Sequence, residues 1–349
     1  MALLPLVLLI IVGEAITRLL PEPNPFPEAG FRETYSFSSL FVPHPYLAHA
    51  PNPEHPAFYG HGLREDREIL LNSNRFRVLC LGGSATYGSR VERQNAWPAQ
   101  LEQILQARGK DVEVLNAGVH AYSTANLIGW LSLRMVDLHP RMVIFYVGFN
   151  DVFNWVNFSG FRSDYSNAQK AWETPDLSSP FWAHSSLLRR AAHWQPPLVH
   201  IHAVTFNEFS KDYANNLAAS DPGVFTRNLI TLASICRGHG TEPVFVLEAT
   251  DFGGHAEGDE QGTLAFKKGM ALADQAMAEA AARAGVERID VSSLDNRPNY
   301  FADFIHLNEN GNRKIAEVMA DFLAGKIDAA PGSTVGPATD HGGGSVPQP

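Results

Sequence analysis

Phe76-Arg77-Val78-Leu79-Cys80-Leu81-Gly82-Gly83-Ser84 is an apolar run of strand length that stops on two glycines and a serine. A run that is short, continuous and bounded by a turn signal fits a strand buried on both faces of a sheet. Downstream, the same signature predicts strands at Val112–Asn116, Met142–Val147, Pro243–Glu248 and Glu287–Asp290. Apolar residues at helical spacing predict helices at Pro98–Ala107, Thr124–Asp137, Phe225–Arg237, Leu264–Ala284 and Glu309–Leu323. Strands alternating with amphipathic helices mean a parallel sheet covered on both sides. Five such units predict an α/β fold, a flavodoxin-like doubly wound sheet of five parallel strands with helices on both faces. Ligands of such sheets bind beyond the carboxyl ends of the strands. Ser84, Gly118 and Asn150 all fall just past predicted strand ends, so the fold brings them to one edge.

What those residues offer is chemical. Gly82 and Gly83 allow the tight turn that presents Ser84 at the sheet edge. A serine hydroxyl is a weak nucleophile until a base takes its proton, and neutral imidazole suits that task near pH ~7. Asp303-Phe304-Ile305-His306 supplies His306 as that base and Asp303 to orient it, three residues apart in one turn. The order Ser, Asp, His is one of the few chain orders in which a hydrolytic triad is built. In Asn116-Ala117-Gly118 and Gly148-Phe149-Asn150-Asp151, the Gly118 backbone N–H and the Asn150 side-chain amide can serve an oxyanion beside the Ser84 N–H. Plainer readings exist for each block. Gly82-Gly83 is an ordinary turn, Asn150-Asp151 an Asx turn, and Asp-x-x-His a cap or ion pair, with Asn308 as N-cap of the last helix. Phosphate cradling is disfavoured, because neither Gly-x-Gly-x-x-Gly nor Gly-Lys-Ser/Thr follows the first strand.

Taken in order, Ser84, Gly118, Asn150 and His306 resemble the four blocks of the SGNH hydrolases, the superfamily of the GDSL esterases and lipases. The resemblance runs from about Arg75 to Leu323. It implies the SGNH hydrolase fold, a Ser84–His306–Asp303 triad, an oxyanion hole of Ser84, Gly118 and Asn150, and chemistry without metal or organic cofactor. The chain departs from the family at Gly83, where the Gly-Asp-Ser-Leu form has aspartate, and is there similar to Gly-Gly-Ser variants of membrane-associated bacterial members. The expected function is ester hydrolysis through a Ser84 acyl-enzyme. An O-acetyl or short acyl ester on a cell-surface glycan is the substrate class suggested by resemblance and N-terminus together. Two alternatives stand beside it: acyl transfer to a sugar by the same triad, and a non-catalytic surface-binding module.

Composition sets the outer limits. A hydrophobic share of 45% over 349 residues supports one catalytic core with additions. A net charge of −10 without a basic stripe excludes a nucleic-acid partner. Cys80 and Cys236 read as two buried free thiols. Met1 to Gly13 carries no charged side chain, so residues 1–20 read as a hydrophobic membrane anchor or signal-anchor. By resemblance, the catalytic domain then lies outside the cytoplasm. Residues 21–74 read as a Pro-rich linker and irregular surface segment; their histidines, His44, His49, His55 and His61, lack the spacing of a metal site. The catalytic domain is expected at 75–325. Its aromatic-rich insert at 152–224 holds Trp155, Trp172, Trp182 and Trp194 and suits a lid or binding loop. Residues 326–349 read as a disordered tail.

Overall fold

The computed structural model describes residues 3–20, 40–168 apart from 43, 45 and 48, 185–191, 208–254 and 260–329. The expectations for the linker at 21–27, for Trp172, Trp182 and Trp194 and for the tail beyond 329 lie outside these residues. Helix α1 (Leu3–Leu19) comes first, then a two-stranded antiparallel ribbon of β1 (Phe41–Val42) and β2 (Ala50–Pro51). The main sheet holds β3 (Phe76–Gly82), β4 (Val112–Asn116), β5 (Met142–Val147), β6 (Glu242–Leu247) and β7 (Glu287–Arg288). Its order is β4-β3-β5-β6-β7 and every pairing is parallel, as the alternation of strands and helices predicts.

Period two divides the strand side chains between two cores. Leu79, Leu81, Leu115, Val143, Phe145 and Phe245 face one, which also holds Cys236. Val78, Cys80, Val114, Ile144, Tyr146 and Val244 face the other. The two cysteines are free and buried, on opposite sides of the sheet. One polar pair fixes register within this apolar layer. Arg77 and Glu113 are opposite partners of β3 and β4, and Arg77 Nε donates to Glu113 Oε2 at 2.6 Å although both are buried.

Several helices differ from their predicted ends. The helix predicted at Thr124–Asp137 is α-helical only over Thr124–Trp130, passes through a wider turn at Leu131–Met135, tightens at Val136–Leu138 and stops at His139, where φ is 49°. The last helix, Glu309–Ala329, continues beyond Leu323 and into the stretch read as tail; Asn308 caps it by accepting from Gly311 N–H at 3.0 Å. Within the predicted insert, Phe149–Asn157 and Tyr213–Ala219 are helices, and Trp155 is buried against Phe225.

The segment before β3 is irregular, yet it is not confined to the surface. Leu40, Phe41, Leu47, Phe58 and Leu63 are buried in the first core. Prolines prevent regular structure there without preventing burial of the apolar side chains between them. His49 is part of that packing, its Nε2 lying 2.9 Å from the His120 carbonyl, and desolvation lowers its pKa to about 4. At the other end, Glu14 of α1 accepts from Ser185 Oγ, Ser186 N–H and Leu187 N–H at 2.6, 2.9 and 3.0 Å, joining α1 to helix Ser186–Ala191. No helix among the described residues is long and apolar enough to cross a membrane.

Candidate active site

Strand β3 delivers Ser84 as first residue of a four-residue helix, Ser84–Tyr87. The loop before the last helix delivers His306 and Asp303 from the opposite side. His306 Nε2 lies 2.8 Å from Ser84 Oγ, and His306 Nδ1 lies 2.8 Å from Asp303 Oδ2. The other carboxylate oxygen, Asp303 Oδ1, accepts from the backbone N–H groups of Ile305 and His306 at 3.0 and 2.8 Å. Burial opposes ionisation of Asp303. The His306 ring and these two N–H donors outweigh it and hold the carboxyl well below the usual carboxylate range. An ionised acceptor on Nδ1–H leaves the Nε2 lone pair facing the serine hydroxyl, the tautomer that proton abstraction requires. The three residues read from sequence as nucleophile, base and orienter are thus brought into one hydrogen-bonded line.

Asn150 approaches from the third side. Gly148, with φ of 136°, turns the chain from β5 into helix Phe149–Asn157, on whose first turn Asn150 sits. One hydrogen of Asn150 Nδ2 goes to the Tyr122 carbonyl at 2.9 Å, leaving the other for a ligand. A Cβ at residue 83, where the family has aspartate, would meet Asn150 Nδ2, so the amide would have to shift from the position it takes beside this glycine.

Gly118 departs from expectation. Its N–H donates to Asn116 Oδ1 at 3.0 Å instead of pointing into the site. Its lack of a side chain has a steric reason, since a Cβ there would strike the backbone of Thr86 and Tyr87. The Asn116 side chain thus covers a donor that the family pattern assigns to the oxyanion, and Asn116 was quoted in the motif without a role of its own.

Three buried carboxyls hold the loops on this side, and sequence reasoning missed all three. Glu65 Oε1 accepts from Asn116 N–H at 3.0 Å, and Glu248 Oε2 accepts from Phe149 N–H at 2.7 Å. Asp151 Oδ2 accepts from Thr124 N–H at 3.1 Å, and its Oδ1 from Thr124 Oγ1 and Tyr165 OH at 2.5 and 2.9 Å. Desolvation raises each pKa, to about 7 for Glu65, about 6 for Asp151 and about 8 for Glu248. Glu248 gave one usable signal, a carboxylate at the carboxyl end of a predicted strand. Beside the triad, Ser89 Oγ lies 3.0 Å from His120 Nε2, and desolvation drives the His120 pKa well below the imidazole range.

The profile of the GDSL-like lipase/acylhydrolase family matches residues 80–314, a stretch that contains Ser84, Gly118, Asn150, Asp303 and His306. The chain belongs to that family. An arylesterase of Vibrio mimicus is 32% identical over 76 residues, 22% of this chain and 38% of the relative, so the match spans less than half of that protein. Among solved structures, a lipase/acylhydrolase from Enterococcus faecalis aligns at a TM-score of 0.43 and 14% identity, covering 72% of this chain and 96% of its own. An alpha/beta hydrolase enzyme from the metagenome of Lake Arreo, Spain, aligns at 0.45 and 16%, covering 72% and 94%.

Proposed function

We propose that this family member hydrolyses carboxylic esters through an acyl-enzyme on Ser84. The observation that carries the reading is the line Ser84 Oγ–His306–Asp303, with both hydrogen bonds at 2.8 Å. His306 Nε2 takes the hydroxyl proton as Oγ adds to the ester carbonyl. The oxyanion forms against Asn150 Nδ2 and the Ser84 N–H. Collapse of the tetrahedral intermediate breaks the ester C–O bond, and His306 returns the proton to the leaving alcohol. Water then repeats the sequence, giving the free acid and restoring Ser84. Asp303 keeps its charge throughout and stabilises the imidazolium at each step.

The favoured substrate is an O-acetyl or short acyl ester on a cell-surface glycan, met by an enzyme held at a membrane through its N-terminal segment with the catalytic domain outside the cytoplasm. Support for the membrane part comes from α1, where Leu9, Ile10, Ile11, Val12 and Leu19 are exposed. Five such side chains in lipid are worth on the order of several kcal/mol at ~25 cal/mol per Å², so the full chain should sediment with membranes and resist high-salt extraction. Release by salt or carbonate would contradict this. Product analysis with an acetylated glycan and excess free sugar tests the substrate. Free acetate is the expected product, and acetyl groups moved to the added sugar would make the chain a transferase.

A further inference from the structure

Asn150 is aimed by its neighbour in the chain. Asp151 lies in the same first turn of helix Phe149–Asn157 and is fully buried. Its Oδ2 accepts from Thr124 N–H at 3.1 Å, which ties that turn to the start of helix Thr124–Trp130. Two residues before Thr124 stands Tyr122, whose carbonyl takes one hydrogen of Asn150 Nδ2 at 2.9 Å. The placement of the amide therefore depends on how Asp151 is held.

A closed circuit of side chains holds it. Thr124 Oγ1 donates to Asp151 Oδ1 at 2.5 Å and accepts from Asn228 Nδ2 at 3.0 Å. Asn228 Oδ1 accepts from Arg227 Nε and Nη2 at 3.2 and 2.9 Å, and Arg227 Nη2 also donates to the Ser163 carbonyl at 2.7 Å. Two residues on, the Tyr165 hydroxyl donates to Asp151 Oδ1 at 2.9 Å and accepts from Trp155 Nε1 at 3.2 Å, which closes the ring. The backbone at Tyr165 is bent to make this closure. Its φ is 60°, in the left-handed region that a bulky side chain rarely adopts, and such strain persists only where the surroundings over-determine it. They do so here: Tyr165 N–H donates to the Arg162 carbonyl at 2.9 Å, Ala168 N–H donates to the Tyr165 carbonyl at 3.0 Å, and the ring is fully buried. Burial, with the Asp151 carboxyl beside it, pushes the phenol well above its ordinary range, so the hydroxyl keeps the proton it donates.

We propose that Tyr165 is a positioning residue for ester hydrolysis: its hydroxyl, acting through Asp151, holds the Asn150 amide where the oxyanion forms. The start of the aromatic-rich insert then serves the oxyanion side of the site. The proposal rests on the reading of Asn150 as an oxyanion donor, and a double-mutant cycle on p-nitrophenyl acetate hydrolysis tests it. Tyr165→Phe, which removes only the hydroxyl, should lower kcat about ten- to a hundredfold with KM nearly unchanged. In an Asn150→Ala background the same substitution should change kcat about twofold or less, because the amide it positions is gone. A purely structural role would lower the rate by the same factor in both backgrounds. That result, a loss carried in KM, or an unchanged kcat in Tyr165→Phe would overturn the proposal. Should Tyr165→Phe not fold, Arg227→Met at the exposed end of the circuit gives a second cycle, with a smaller loss that should likewise vanish in Asn150→Ala; an equal loss in both backgrounds would again overturn it. Asn150→Ala alone separates the two failures. Unimpaired turnover in that variant removes the oxyanion reading and the proposal with it, whereas an impaired Asn150→Ala that Tyr165→Phe slows further by its full factor removes the proposal alone.

Discussion

Asp303 and His306 reach Ser84 from a single loop whose hydrogen bonds are mostly internal, Asp303 accepting from residues two and three positions ahead. The oxyanion side is assembled differently. Asn116, Gly118 and Tyr122 come from the connection after β4 and Asn150 from the start of the helix after β5, and Glu65, Asp151 and Glu248 brace these two segments over sequence separations of 51, 27 and 99 residues. The electrostatics differ as well. Backbone and ring donors keep Asp303 ionised far into acid, whereas burial keeps the three bracing carboxyls protonated well above their ordinary range. A base and its orienter can be held by a local turn; a set of donors aimed at one point needs long-range bracing, which here is supplied by buried carboxyls.

Substitutions on the base side should have the largest effect. Ser84→Ala and His306→Ala should each reduce turnover of p-nitrophenyl acetate by ~10⁴-fold or more, with near-UV circular dichroism confirming the fold. Asp303→Asn should cost about 10⁴-fold, because it favours the wrong imidazole tautomer. Losses under tenfold in a folded variant would dissolve the base side as described.

On the oxyanion side, Asn150→Ala should lower kcat by ~10²–10³ with less change in KM, as for a donor used mainly in the transition state. A change confined to KM would make Asn150 a substrate-binding residue. Gly83→Asp, which restores the family's usual residue, should here lower kcat on the order of 10², since its Cβ displaces the Asn150 amide. Unimpaired activity in that variant would mean the amide can work from elsewhere.

This contrast is also the limit of what the sequence disclosed. Ser84, Asp303, His306 and Asn150 were legible because each sits at a strand end or in a short motif, and the parallel five-stranded sheet followed from strands alternating with helices. The side-chain partner of the Gly118 N–H was not legible, because nothing local says that Asn116 will fold back onto it. Glu65 was hidden in a proline-rich stretch without periodicity, and Asp151 sat inside the Asn150 motif as a second carboxylate whose partner, Tyr165, is remote.

The smallest expected effect is on stability against pH. A carboxyl whose folded pKa is raised binds its proton in the folded state after the unfolded state has lost it, so stability falls as pH rises between the two values. For Glu248 that window runs from about 4.5 to about 8, and Glu65 and Asp151 act in the same sense up to about 7 and about 6. Asp303, depressed, has the opposite sign and keeps its contribution down into acid. Above about pH 6.5 the buried histidines, whose depressed pKa values act in the opposite sense at lower pH, no longer contribute to the slope, so denaturant unfolding should show stability falling from about pH 6.5 to about pH 8. Glu248→Gln, which retains an acceptor for Phe149 N–H, should flatten part of that slope. A slope unchanged in the variant would remove Glu248 from the braces.

The central claim is that Ser84 is the activated nucleophile, and one measurement reaches it directly. The folded protein is exposed to a fluorophosphonate probe and the modified residue is located by peptide mass spectrometry. The expected result is stoichiometric labelling of Ser84, abolished in His306→Ala. Labelling at another residue, or no labelling of a protein shown to be folded, would contradict it.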